Sequence, residues 1–101
     1  MPTPTLSDAE IAARLEALPG WERDGDWITR TFKLDTYLAG LAFASAVGTL
    51  AEAQDHHPDL IIGWKQVTVR YQTHDAGNRI SEKDMRAAAA VDALGYPRPH
   101  V

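Results

Sequence analysis

Two very short connections constrain this chain more than any other feature. Trp21 to Arg23 and Trp27 to Lys33 read as strands, with little more than Asp24-Gly25 between them. Leu60 to Trp64 and Gln66 to Thr73 read as strands with even less between them. Strands joined so tightly pair antiparallel, because a parallel pair needs a crossover of about a dozen residues or more. Gly25 tolerates the positive φ that a tight turn requires. In the last strand Val67, Val69 and Tyr71 share one face, and Thr68, Arg70, Gln72 and His74 share the other. In the second, Ile28, Phe32 and Leu34 share a parity on which Arg30 intrudes.

Helical segments surround the two hairpins. Ser7-Asp-Ala-Glu10 has capping-box spacing, with Leu6 and Ile11 placed as a hydrophobic staple. Ile11, Leu15 and Leu18 continue one face until Pro19-Gly20 ends it. Asp35 or Thr36 can cap a long second helix to about Asp55, with Phe43, Val47, Leu50 and Gln54 along one face. Gly40, Ala44, Gly48 and Ala51 are small. A helical Gly costs up to ~1 kcal/mol relative to Ala, so these predict close approach of the sheet. Pro58 disfavours helical geometry at His57, so the helix ends there or just before.

Asp75 to Asn78 reads as a turn. Ser81-Glu-Lys-Asp84 then opens a third helix, with Ile80 and Met85 as its staple. Ala87, Ala88, Val91 and Leu94 form its apolar face, and Gly95 and Pro97 end it. The expected fold is α+β: a two-layer sandwich of a four-stranded antiparallel sheet with three helices on one face, in the order α-β-β-α-β-β-α. The open edges of so small a sheet invite pairing between subunits. At 101 residues the chain is expected to be a single domain, 1–101, with residues 1–5 a frayed tail.

Charge and composition narrow the function classes. The net charge is −4 and Lys and Arg form no cluster, which argues against nucleic acid and anionic membranes as partners. No apolar run approaches the ~20 residues of a membrane span, and no signal segment is expected at the N-terminus. There is no cysteine. That excludes a disulfide and a thiolate zinc site, and it fits a cytoplasmic location.

The chemistry concentrates between Glu52 and Asp84, which holds three of the four histidines. Glu52 and His56, four residues apart, would lie on one helical face. His56 would sit in the last turn, where the negative helix end favours an imidazolium. Pro58 forces His57 out of the helix and aims it elsewhere, and Asp55 and Pro58 frame the pair. His74 would approach from the end of the fourth strand. The set suits proton transfer near neutral pH. Each residue also has a plainer reading. A histidine in a last turn can simply bond free carbonyls, Asp84 can simply start a helix, and Trp64 reads as core. His56, His57, His74 and Asp84 show no recognised metal-ligand spacing, so no metal is expected. There is no Gly-rich phosphate loop and no serine-nucleophile motif.

Glu52-x-x-x-His56-His57-Pro58, an aromatic at Trp64, His74, and Asp84 closing the segment closely resemble the signature of the pterin-4a-carbinolamine dehydratases. The resemblance runs from about Leu6 to Leu94. It implies dehydration of 4a-hydroxytetrahydrobiopterin to quinonoid dihydropterin, a hydro-lyase step in tetrahydrobiopterin recycling, with no metal and no added cofactor. It implies a homodimer or homotetramer working in the same pathway as an aromatic amino acid hydroxylase. His56, His57 and His74 match the family's catalytic histidines; Glu52, Asp55, Pro58 and Asp84 match supporting or substrate-binding positions. Leu60 stands where an aromatic is common, and the Asp75 to Ile80 loop is one residue longer than in animal members. The same resemblance leaves two other readings: a binding, assembly or coactivator protein on this fold, or a dehydratase for another pterin, as in molybdopterin metabolism.

Overall fold

The computed structural model describes residues 2–97. The elements run α1 (Asp8–Glu16), β1 (Glu22–Asp24), β2 (Trp27–Lys33), α2 (Tyr37–Gln54), β3 (Asp59–Gly63), β4 (Gln66–Tyr71) and α3 (Glu82–Asp92), with a 3-10 turn at His74–Ala76. All strand pairs are antiparallel, in the order β1-β2-β4-β3. The α+β sandwich expected from the two hairpins is the fold observed. Ser7 caps α1 in a full capping box, and Leu6 and Ile11 pack at its start. Residues 2–5 carry no regular structure.

The helix-covered face of the sheet is built by period-two alternation. Ile28 faces Tyr71 across β2 and β4, Phe32 faces Val67, and all four are buried. Arg30 shares that parity, and the structure shows how. Its guanidinium lies 4.5 Å above the Phe32 ring and bonds Asp92 of α3 at 3.0 Å. Trp21 Nε1 donates to the same carboxylate at 3.1 Å. Gly20 makes room for this cluster: a Cβ there would stand 2.8 Å from Arg30 Nε, at a φ of +89°. Arg14 of α1 bonds Glu82 of α3 through both guanidinium arms, and this contact holds the half-buried Glu82 carboxyl below the usual range.

Several expectations are corrected. Trp21 lies outside β1, and the first hairpin turns on Gly25-Asp26, since Asp24 pairs with Trp27. β4 stops at Tyr71 because the chain enters the 3-10 turn, so His74 does not continue its alternation. Trp64 is not core. Gly63 pairs with Gln66, which leaves Trp64-Lys65 as the hairpin tip, and Trp64 is 75% exposed beneath the Lys65 ammonium. Leu94 lies past the end of α3 and is exposed. Gly40 fits the close-approach reading, with Val67 packed 3.5 Å from where its Cβ would be, but nothing described approaches Gly48. Tyr37, Leu38 and Leu41 of α2 remain exposed, as do Ile61 and Ile62 of β3. No helix among the described residues is long and apolar enough to cross a membrane.

Candidate active site

The end of α2 determines where the adjacent histidines go. Thr36 caps its start by accepting the Ala39 N–H at 3.0 Å. At the other end Asp55 takes a left-handed conformation, φ 52° and ψ 41°. The Asp55 N–H donates to the Glu52 carbonyl, and the His56 N–H donates to the Ala51 carbonyl at 3.2 Å. This is the Schellman pattern, which satisfies carbonyls that a helix end leaves free. Asp is one of the few non-glycine residues that tolerates this geometry.

The consequence is a correction to the expected pairing. Glu52 and His56 do not share a helical face, because the left-handed residue breaks the helical progression before His56 is reached. Glu52 Oε1 instead meets His57 Nε2 at 2.6 Å, and His56 Nε2 meets Asp84 Oδ1 at 2.7 Å. The two pairs differ in setting. Asp84 is fully buried and the His56 side chain is 13% exposed, whereas His57 and Glu52 are 54% and 79% exposed.

Asp84 sits in the first turn of α3 and completes a capping box with Ser81. Its Oδ2 accepts the Ser81 N–H at 2.9 Å and the Thr73 hydroxyl at 2.8 Å. The Thr73 proton is used there, so Thr73 Oγ1 accepts from the Ser81 hydroxyl at 2.5 Å. Ser81 Oγ in turn accepts the Lys83 N–H at 3.2 Å. With two donors on Oδ2, the ionised carboxylate takes a third on Oδ1. His56 Nε2 therefore carries the proton, and Nδ1 is the ring nitrogen left to exchange one with a ligand. Asp84 is thus both helix cap and imidazole partner.

His56 also lines a pocket of about 360 Å³, with Gln54 and Asp55 beside it and Lys83, Arg86 and Ala87 of α3 opposite. Lys83 Nζ lies 3.5 Å from Asp75, whose exposed carboxyl is held below its usual range chiefly by the Thr3 hydroxyl. His57 and His74 lie outside this lining. Pro58 carries the chain into β3. His74 opens the 3-10 turn and is exposed; among the described residues no side-chain hydrogen bond or ion pair reaches its ring. No group of three or more His, Cys, Asp or Glu side chains among the described residues is arranged to hold a metal ion.

Three residues at the site were not expected from sequence: Thr73, Ser81 as a side-chain partner, and Tyr71. The Tyr71 ring lies against the His56 imidazole, centroids 5.6 Å apart and planes within 8°. Its hydroxyl is buried with no hydrogen-bond partner among the described residues, and burial, with the nearby Asp84 charge, pushes its pKa up to about 12. Alternation alone marked Tyr71 as core. The Ser81-to-Asp84 spacing gave the cap but not the hydroxyl chain to Thr73.

Comparison with known proteins gives a consistent picture. The family model described as Pterin 4 alpha carbinolamine dehydratase matches residues 4–94. A Natronomonas pharaonis protein named "Putative pterin-4-alpha-carbinolamine dehydratase" is 53% identical over 89 residues, covering 88% of this chain and 94% of that protein. The crystal structure of a transcriptional coactivator/pterin dehydratase from Brucella melitensis superimposes with a TM-score of 0.82 at 30% identity, over 89% of this chain and 97% of that one. A pterin dehydratase-like protein identified as a RuBisCO assembly factor in the alpha-carboxysome shares the fold, with a TM-score of 0.59 at 23% identity over 75% of this chain and 87% of that one.

Proposed function

The chain belongs to the pterin 4 alpha carbinolamine dehydratase family, and from that premise we propose that it dehydrates 4a-hydroxytetrahydrobiopterin to quinonoid dihydropterin and water, as a step in tetrahydrobiopterin recycling. The observation that carries this reading is the buried Asp84–His56 pair at the wall of a pocket. The reaction breaks the C4a–O bond, protonates the departing oxygen and removes the N5 proton, leaving a C4a–N5 double bond. One proton is given and one is taken, so no external acid or base is consumed.

His56 and His74 face the 4a-hydroxyl in this reading, and one of them protonates it. For His56, Nδ1 is the nitrogen that exchanges, because Asp84 holds Nε2. His57 contacts the pterin and positions it or takes the N5 proton, with Glu52 orienting its ring. Asp55, in its left-handed cap beside His56, and Pro58, which fixes the exit of the chain, support the pair. The protein works in the cytoplasm without an added cofactor, alongside an aromatic amino acid hydroxylase.

The test is a spectrophotometric assay of 4a-hydroxytetrahydrobiopterin dehydration by the purified protein, with the uncatalysed reaction run beside it. Acceleration proportional to enzyme is expected. Folded protein that leaves the background rate unchanged overturns the reading.

The exposed apolar residues Tyr37, Leu38, Leu41, Ile61 and Ile62 favour a second element of the reading, homodimeric or homotetrameric assembly. A helix apolar on all sides is normally buried on all sides. Sedimentation at micromolar concentration that finds only a species of 11.1 kDa would remove it. The same surface would serve an assembly or coactivator role, the alternative that comes forward if the dehydration assay fails.

A further inference from the structure

Tyr71 ends β4 on the helix-covered face and is fully buried. It touches two things that bear on the site. On one side its ring lies nearly parallel to the His56 imidazole, 5.6 Å between centroids and 8° between planes. On another it packs on Trp21, centroids 6.1 Å apart, and its strand partner is the buried Ile28. A single hydrogen bond from Nε2 to Asp84 fixes one point of the imidazole and leaves the ring able to swing about the bond. A flat ring held against its face removes that freedom. Together the two contacts set the direction of Nδ1.

We infer that Tyr71 is a positioning residue for His56, holding the imidazole plane by stacking so that Nδ1 is presented to the pocket. The inference rests on the reading of His56 as a proton-transferring group. The ring carries the role and the phenol does not, because among the described residues no hydrogen bond ties the hydroxyl to His56 or Asp84. Preorganisation of this kind matters because a reacting group misplaced by about 1 Å can lose on the order of 10²-fold in rate.

Two substitutions separate ring from hydroxyl. Tyr71→Phe keeps the stack and should keep kcat within about twofold of the parent, below the loss that misplacement would cause. Tyr71→Leu removes the stack and should lower kcat by about 10–100-fold with KM little changed. Tyr71→Met replaces it if the leucine variant melts below assay temperature. Introduced into His56→Ala protein, Tyr71→Leu should cause no further loss, because residues acting as a unit are non-additive. An independent readout is the His56 Nε2–H resonance of the free protein by NMR. It should persist in wild type and Tyr71→Phe and broaden or vanish in Tyr71→Leu. If wild-type protein shows no dehydration, the functional reading fails and the NMR comparison alone decides the positioning role. Unchanged kcat per folded molecule together with an unchanged resonance in Tyr71→Leu overturns the inference, as does an equal loss in Tyr71→Phe.

Discussion

His56 and His57 are neighbours in sequence, and each meets a carboxylate at nearly the same distance, 2.7 Å and 2.6 Å. Only the surroundings differ. The Asp84 carboxylate is closed off from solvent and held by two further donors, whereas Glu52 reaches His57 across open surface. Exposed pairs are screened and give ~0–1 kcal/mol. Breaking a buried pair costs about 3–5 kcal/mol, because the remaining charge is stranded. The lesson is that distance alone does not tell a positioning contact from an incidental one; burial and the number of other donors do.

The sharpest way to break this contrast is Asp84→Asn. A neutral amide offers one acceptor oxygen where the carboxylate offers two, so at least one of its three donors would face an N–H. Turnover should fall by about 10²–10⁴-fold. The melting temperature should fall as well, by about 4–8 °C for each kcal/mol lost in a domain of this size. A lower melt with unchanged turnover would return Asp84 to a capping role alone. Next, His56→Ala should cost about 10²–10⁴-fold in turnover, while His57→Ala should cost less and barely move the melt. Equal losses, or a reversed order, would erase the distinction between the two sites.

A third measurement probes the buried side without touching a site residue's charge at neutral pH. Tyr71 releases its proton at about 12 when folded, against about 10 unfolded. Between those values the folded chain keeps a proton that the unfolded chain has lost, so stability falls as pH rises. About 1–3 kcal/mol should disappear from denaturant melts between pH 10 and 12. Tyr71→Phe should flatten that part of the profile, and a slope that survives would mean another group is responsible. The smallest effect is expected from Glu52→Gln, within ~1 kcal/mol and shrinking further with added salt. A larger, salt-insensitive loss would show that the exposed pair is not so exposed in solution.

Much of this could be read in the sequence. The two tight connections gave the antiparallel pairs, both capping boxes are present, and Val67, Val69 and Tyr71 point inward as alternation requires. Even the intrusion of Arg30 was visible, though not its partner Asp92, 62 residues away. The pairing of histidines and carboxylates was not legible. It depends on one left-handed residue, Asp55, and helical spacing rules stop applying at the residue that breaks the helix. Trp64 was misplaced for a similar reason. Lys65 turns the chain at φ 56°, and no glycine announces that the tip is Trp64-Lys65. The family resemblance supplied the residue set, but not the left-handed turn that sorts it.

The carboxylate of Asp84 draws its donors from positions 28, 11 and 3 residues away in the chain. Those donors follow α2, follow β4 and begin α3, so no fragment lacking one of these segments satisfies the group. Burying Asp84 without them would leave a polar group unsatisfied, which costs stability. The closing of α3 onto the second hairpin should therefore be tied to the termination of α2, and amide exchange that protects the two ends independently would break that link.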